Sequence, residues 1–201
     1  MADVVILTTP PGFRPLHFEY AVNNNKQIFM EKPVDTDVVW IKKILKAGKV
    51  AASKKLNVIV GLQRHYQRNY LEVKKRLDRK RIGKIISGQV YWNSGGVWVK
   101  PRKAEQTELE YQMRNWLYFT WLSGDHIVEQ HIHSLDKAVW LMGDKPPVKC
   151  VGLGGREMRT AEQWGHVFDH FAVCYEWENG TKTFAYTRQM SGCKNNVEDY
   201  V

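Results

Sequence analysis

Ile28-Phe29-Met30-Glu31-Lys32-Pro33 decides how this chain is read. Three consecutive apolar residues suit a short strand covered on both faces. The proline behind them has no backbone N–H and a fixed φ, so the chain must leave the sheet there. A lysine at that point stands at the C-terminal rim of an α/β sheet, where such folds bind ligands. A surface lysine before a turn is the commoner meaning of such a tripeptide, and its weight comes from its flanks.

Upstream, Val4-Val5-Ile6-Leu7 is another continuous apolar run, and it stops at Thr8-Thr9-Pro10-Pro11-Gly12, which continues neither strand nor helix. Leu16 to Val22 predicts a helix closed by Asn23-Asn24-Asn25. Downstream, Asp35 or Thr36 is placed to cap a long helix with Val38, Ile41, Ile44 and Leu45 on one stripe. Leu56 to Leu62 is the third strand. Strands separated by helices of this length imply a parallel sheet with right-handed crossovers. Residues 1–62 therefore read as half of a doubly wound, Rossmann-like sheet.

The rhythm changes over residues 63–201. A basic amphipathic helix (Tyr70 to Arg81) precedes an alternating, β-rich run from Ile85 to Trp92. A polar stretch from Asn93 to Glu108 leads to an aromatic segment with Tyr111, Trp116, Tyr118, Phe119 and Trp121. One helix is expected from about His126 to Met142. Phe171, Val173, Tyr175 and Trp177 then fall on one strand face, and Asn179-Gly180 marks a hairpin before Thr181 to Arg188. The fold class is α/β: a partial parallel sheet followed by an α+β domain with a mainly antiparallel sheet.

At 201 residues, with 43% hydrophobic and 12% aromatic content, the chain can bury one large or two small cores. No apolar stretch approaches the ~20 residues that span a bilayer, and Met1 to Thr8 lacks the basic region and cleavage site of a signal peptide. A cytoplasmic protein without membrane partners is expected. Three scattered cysteines suggest neither a disulfide framework nor a metal site. The net charge of +9 is densest from Lys74 to Lys84, where Leu71, Val73, Leu77 and Ile82 interrupt it. That pattern is the solvated side of a helix rather than a nucleic-acid surface.

A second concentration of chemistry is Gly124-Asp125-His126-Ile127-Val128-Glu129-Gln130-His131-Ile132-His133-Ser134-Leu135-Asp136. On one helix Glu129 and His133 would share a face, since residues four apart are neighbours. A carboxylate one turn from an imidazole can fix its tautomer and raise its basicity, as a general base requires. Zinc ligation by His126, Glu129 and His133 is the weaker alternative, because the spacing is not HExxH and no fourth ligand is indicated. For Asp125 and Asp136, simple capping is as good a reading as function.

Together, Val4 to Pro11, Asn25 to Pro33, Val60-Gly61-Leu62-Gln63-Arg64 and the Gly124 to Asp136 block followed by Trp140-Leu141-Met142-Gly143 resemble one family. It is the glucose–fructose oxidoreductase/inositol dehydrogenase/rhizopine-catabolism (Gfo/Idh/MocA) family of NAD(P)-dependent oxidoreductases. The resemblance implies NAD or NADP as cofactor and a carbohydrate or polyol as substrate, oxidised at a secondary hydroxyl. It implies Lys32 and His133 as catalytic residues, with Glu129 as partner of His133 where the family usually has aspartate. It implies Thr8, Thr9, Pro10, Pro11, Glu31 and Lys32 along the cofactor, and Arg64, Trp116, Gln130 and His131 near the substrate. Association of copies through the C-terminal sheet is implied by resemblance alone.

No Gly-x-Gly-x-x-Gly run follows a strand and opens a helix anywhere in these residues. The chain is accordingly expected to be an internal piece of a longer enzyme, with the phosphate-binding strands upstream of Met1 and more sheet beyond Val201. An NAD-dependent glycosidase of the same fold is the alternative within enzymology. A non-catalytic carbohydrate-binding or assembly remnant is the alternative outside it, since Trp116 and Trp121 could stack on a sugar.

Overall fold

A computed structural model of the chain describes residues 2–201. Its internal contacts define two compact units. One takes in the chain up to Gly61 with Val99–Glu129 and Ala161–Val167; the other comprises Leu62–Trp98, Gln130–Thr160 and Phe168–Val201.

In the first unit, β1 (Val4–Leu7), β2 (Gln27–Met30) and β3 (Val58–Val60) form a parallel sheet in that order. The crossovers are α1 (Arg14–Asn23) and α2 (Val38–Ser53). Phe18, Ala21 and Val22 of α1 pack with Ile28 and Met30 of β2 and with Ile44, Ala47 and Ala51 of α2 in one buried cluster. Of the stripe expected on α2 only Ile44 faces the core: Val38, Ile41 and Leu45 are exposed, and the buried face is instead Ile44, Ala47 and Ala51 at helical spacing. The residue that caps α2 is Asp37, not the expected Asp35 or Thr36. Its carboxylate accepts from Val39 N at 2.6 Å and Trp40 N at 3.3 Å. Asp35 is buried instead, and burial pushes its carboxyl above the usual carboxylate range.

Also in this unit, α4 (Glu108–Arg114) begins with a reciprocal capping box between Thr107 and Glu110. The short helix α5 (Thr120–Ser123) ends at Gly124 in the left-handed region (φ 76°), and α6 (Asp125–Glu129) follows. Tyr118, Phe119 and Leu122 are buried, with Trp164 edge-on to Tyr118 and His166 edge-on to Phe119.

The second unit carries a five-stranded sheet in the order β5 (Lys149–Gly155), β6 (His170–Glu176), β7 (Lys182–Gln189), β4 (Ser87–Ser94), β8 (Asp199–Tyr200). Only β4–β7 is parallel, so the sheet is mixed and mainly antiparallel, as expected. The Asn179-Gly180 hairpin is present, with Gly180 at φ 82° and Asn179 Oδ1 accepting from Thr181 N. Val90, Ala185, Trp177 and Ala138 bury α7 (Ile132–Leu141) against the sheet. The basic helix α3 (Arg68–Asp78) is laced by Glu72–Arg76 and Lys74–Asp78 pairs four residues apart. Among the described residues no helix is long and apolar enough to cross a membrane.

The single helix expected from His126 to Met142 is two. The chain turns at Gln130-His131, so Glu129 ends α6 while His133 lies in α7. The shared Glu129/His133 helix face therefore does not exist. His131 is completely buried at the break, and packing there overrides a sequence that carries neither proline nor glycine.

Candidate functional site

The tips of β1, β2 and β3 converge on a cluster of four charged groups. Lys32 stands two residues past the end of β2, and its bond to Pro33 is cis. Lys32 Nζ donates to Glu129 twice, to Oε1 at 2.6 Å and to the main-chain carbonyl at 2.5 Å. The two side chains retain 14% and 11% exposure, so the pair is screened little by solvent. The carboxylate assigned from sequence to His133 thus serves Lys32.

Arg14 is the residue that sequence reasoning missed. It is buried, with its guanidinium donating to the Thr9 carbonyl at 2.7 Å and to the Pro33 carbonyl. One side chain thereby ties the loop after β1 to the loop after β2. Burial pulls its pKa below the ordinary arginine value, and the charges of Glu31 and Glu129 oppose that shift. Its sequence position, between Phe13 and Pro15, carries no local signal of burial.

Glu31 continues the β2 ladder, donating its N–H to the Leu7 carbonyl at 3.0 Å. Its carboxylate lies across Gly61 at the end of β3, where an added Cβ would stand 2.6 Å from Oε2. A side chain at residue 61 would therefore displace the end of the flexible Glu31 side chain rather than the backbone. Thr9 Oγ1 lies 3.1 Å from His17 Nδ1, Pro11 is buried, and Thr8 is exposed at the tip of β1. Trp116 is half-buried in the short turn after α4.

In the second unit, His133 is buried and stacks on Trp92 with ring centroids 5.3 Å apart. His65 Nε2 lies 2.8 Å from Asp136 Oδ2, and its ring packs on Trp140 at 4.2 Å. Burial raises the Asp136 carboxyl pKa, and His65 counteracts it. Arg64 donates to Gln67 Oε1 at 2.8 Å and lies over Tyr70. Gln130 is half-buried, and its carbonyl accepts from His133 N at 3.4 Å. Neither ring nitrogen of His131 has a partner, and burial, then Lys137, pushes its pKa down to about 3. That ring is neutral near pH 7.

The lysine–carboxylate pair thus stands at the C-terminal edge of a parallel sheet, where α/β folds bind ligands. Comparison with known proteins gives the particular kin. The chain is 27% identical over 144 residues to an inositol 2-dehydrogenase of Rhizobium meliloti, covering 72% of this chain and 38% of that protein. It is 29% identical over 184 residues to scyllo-inositol 2-dehydrogenase (NAD(+)) of Bacillus subtilis, covering 89% and 46%. Among solved structures, myo-inositol 2-dehydrogenase from Lactobacillus plantarum matches with a TM-score of 0.76 at 23% identity, over 99% of this chain and 54% of that one. The WlbA dehydrogenase of Bordetella pertussis, solved with NADH and UDP-GlcNAcA, also gives 0.76, at 20% identity over 99% and 52%. No family model matches.

The resemblance read from the motifs is borne out: homologues of this chain are inositol dehydrogenases of the Gfo/Idh/MocA type. The chain spans less than half the length of the curated relatives it matches.

Proposed function

We propose that this chain is part of an NAD(P)-dependent oxidoreductase acting on a secondary hydroxyl of a sugar or polyol. The observation that carries the reading is the ammonium of Lys32, fixed at the tip of β2 by Glu129. Oxidising a secondary alcohol requires the hydroxyl proton to leave, and a positioned lysine can orient that hydroxyl and handle the proton. Lys32 takes this role and Glu129 holds it in place; His133 is assigned an acid–base role by the family resemblance alone. The division at residues 62 and 63 into a partial dinucleotide-binding domain and a substrate and oligomerisation domain belongs to the same proposal, as does a cytoplasmic location.

The residues present fit one end of the dinucleotide. Thr8, Thr9, Pro10, Pro11, Glu31 and Lys32 surround the strand tips and would hold the nicotinamide, their loops tied together by Arg14. The described residues offer no Gly-x-Gly-x-x-Gly loop for the pyrophosphate. When bound, the cofactor supplies the hydride acceptor. Arg64, Trp116, Gln130 and His131 are assigned to the substrate side by the family resemblance alone.

The test is NADH formation from myo-inositol and scyllo-inositol by the full natural product of the gene. Lys32→Ala and His133→Ala should each lower kcat by at least about 100-fold. Wild-type turnover in Lys32→Ala would refute the assignment.

Association through the C-terminal sheet is supported by its outer face. There Val151 and Leu153 are 74% and 82% exposed beside Ala172, Cys174, Phe184 and Tyr186, an apolar patch suited to a second copy. Leu153→Glu should shift sedimentation equilibrium toward monomer, and an unchanged mass would exclude this face.

A further inference from the structure

The first unit has a second cleft, sharing no residue with the charged cluster at the strand tips. Its volume is about 410 Å³, on the scale of small-molecule sites, and it is lined by Gly12, Thr36, Asp37, Trp40, Thr120 and Trp121. Two indoles and three oxygen-bearing side chains thus face one space.

Trp121 is the informative member. It is 43% exposed, yet it is held in place from several sides. Its Nε1 donates to Gln112 Oε1 at 2.7 Å, and Phe13 meets it edge-on with centroids 5.8 Å apart. Its own carbonyl accepts from Thr36 Oγ1 at 3.2 Å. Gly12 packs so close that an added Cβ would lie 2.3 Å from that carbonyl. An exposed indole normally keeps rotamer freedom, and one fixed this firmly is a preorganised surface. Across the cleft, Lys43 lies 3.7 Å from the Trp40 ring centroid and covers one face of that ring. Asp37 uses Oδ1 to cap α2.

We infer that this cleft is a binding site for a neutral saccharide. The C–H face of a pyranose packs on an indole, while its hydroxyls pair with short polar side chains. Thr36, Thr120 and Asp37 supply hydroxyl and carboxylate groups of that kind. The carboxylate disfavours phosphates and other anions. An apolar ligand would leave those oxygens without partners. The inference does not depend on the Lys32 reading, because none of that cluster lines the cleft.

The experiment is saturation-transfer NMR and tryptophan fluorescence on the 201-residue chain with methyl β-D-glucopyranoside, cellobiose and maltose. Saturable binding with a millimolar Kd is expected for at least one of them, with transfer strongest at ring C–H protons. Trp40→Ala and Trp121→Phe should each weaken it about 10-fold or more. Trp98→Ala removes an exposed tryptophan outside the cleft and should leave binding unchanged. If Trp121→Phe does not fold, as judged by circular dichroism, Trp40→Ala decides alone. Absence of saturable binding up to tens of millimolar, survival of binding in the cleft variants, or its loss in Trp98→Ala would each overturn the inference.

Discussion

Removing the charge of Glu129 should destabilise this protein mainly through what it leaves behind at Lys32. At 2.6 Å, the Lys32–Glu129 attraction is about 6 kcal/mol gross at an effective dielectric constant of about 20. Desolvation offsets much of that, and breaking one side of a buried pair typically costs about 3–5 kcal/mol. With 14% and 11% exposure remaining, the lower end applies, about 3 kcal/mol for Glu129→Leu. Glu129→Gln keeps an amide oxygen for the ammonium, and the main-chain carbonyl at 2.5 Å remains, so its cost should be about 1–2 kcal/mol. Lys32→Met leaves the carboxylate unpaired and should cost about 3 kcal/mol. The double variant Lys32→Met/Glu129→Leu removes both charges, and its loss should fall short of the sum by about 2–3 kcal/mol. Urea unfolding of the four proteins, compared at equal m-values, measures that coupling. Additivity within about 0.5 kcal/mol would show that the pair does not interact as described.

Three further outcomes follow from single residues. Gly12→Ala should lose about 1–3 kcal/mol through the clash with the Trp121 carbonyl, whereas Gly48→Ala, in α2 with open space around it, should gain about 0.5–1 kcal/mol; thermal melts of both variants give the signs. His131 titrates at about 3 when folded and 6.5 when unfolded, so the unfolded chain binds more protons between those values. Its contribution is present above pH 6.5 and is lost on acidification by at most about 1.4 kcal/mol per pH unit. Urea midpoints from pH 7 to pH 4 should fall less steeply in His131→Gln than in the wild type. Asp37→Ala removes the cap of α2 and should cost about 1 kcal/mol by the same urea measurement, with Asp37→Asn recovering most of it.

The parallel sheet was legible because its strands are unbroken apolar runs closed by Pro10-Pro11 and Pro33, signals that act locally. Strand β5 was not. Gly152, Gly154 and Gly155 are of a type depleted in strands, yet an added Cβ at Gly152 would sit 2.8 Å from the Val173 side chain, and one at Gly154 2.7 Å from Phe171. Those glycines make room for neighbours that only the folded sheet supplies. Arg14 was hidden for a related reason. A buried arginine is stable only when carbonyls satisfy it, here Thr9 in the preceding loop and Pro33 nineteen residues on, and only the fold brings the second within reach.

Glu129 shows how a correct residue can be given the wrong partner. The 3.6-residue period pairs it with His133 only if the helix continues, and nothing in Glu129-Gln130-His131-Ile132 forbids continuation. Burial of His131, an event of packing, ends α6 at Glu129 and restarts the helix at Ile132. The carboxylate is then committed to a lysine 97 residues earlier in the chain. The extra methylene of glutamate over aspartate lengthens its reach, and Nζ of Lys32 accordingly meets both its carboxylate and its carbonyl. Glu129→Asp separates these two roles of the residue. It keeps the main-chain bond and the charge but shortens the arm, so it should cost less stability than Glu129→Gln only where the backbone can follow. If Glu129→Asp equals the wild type in urea, the charge alone holds Lys32. If it equals Glu129→Gln, the length of the side chain does.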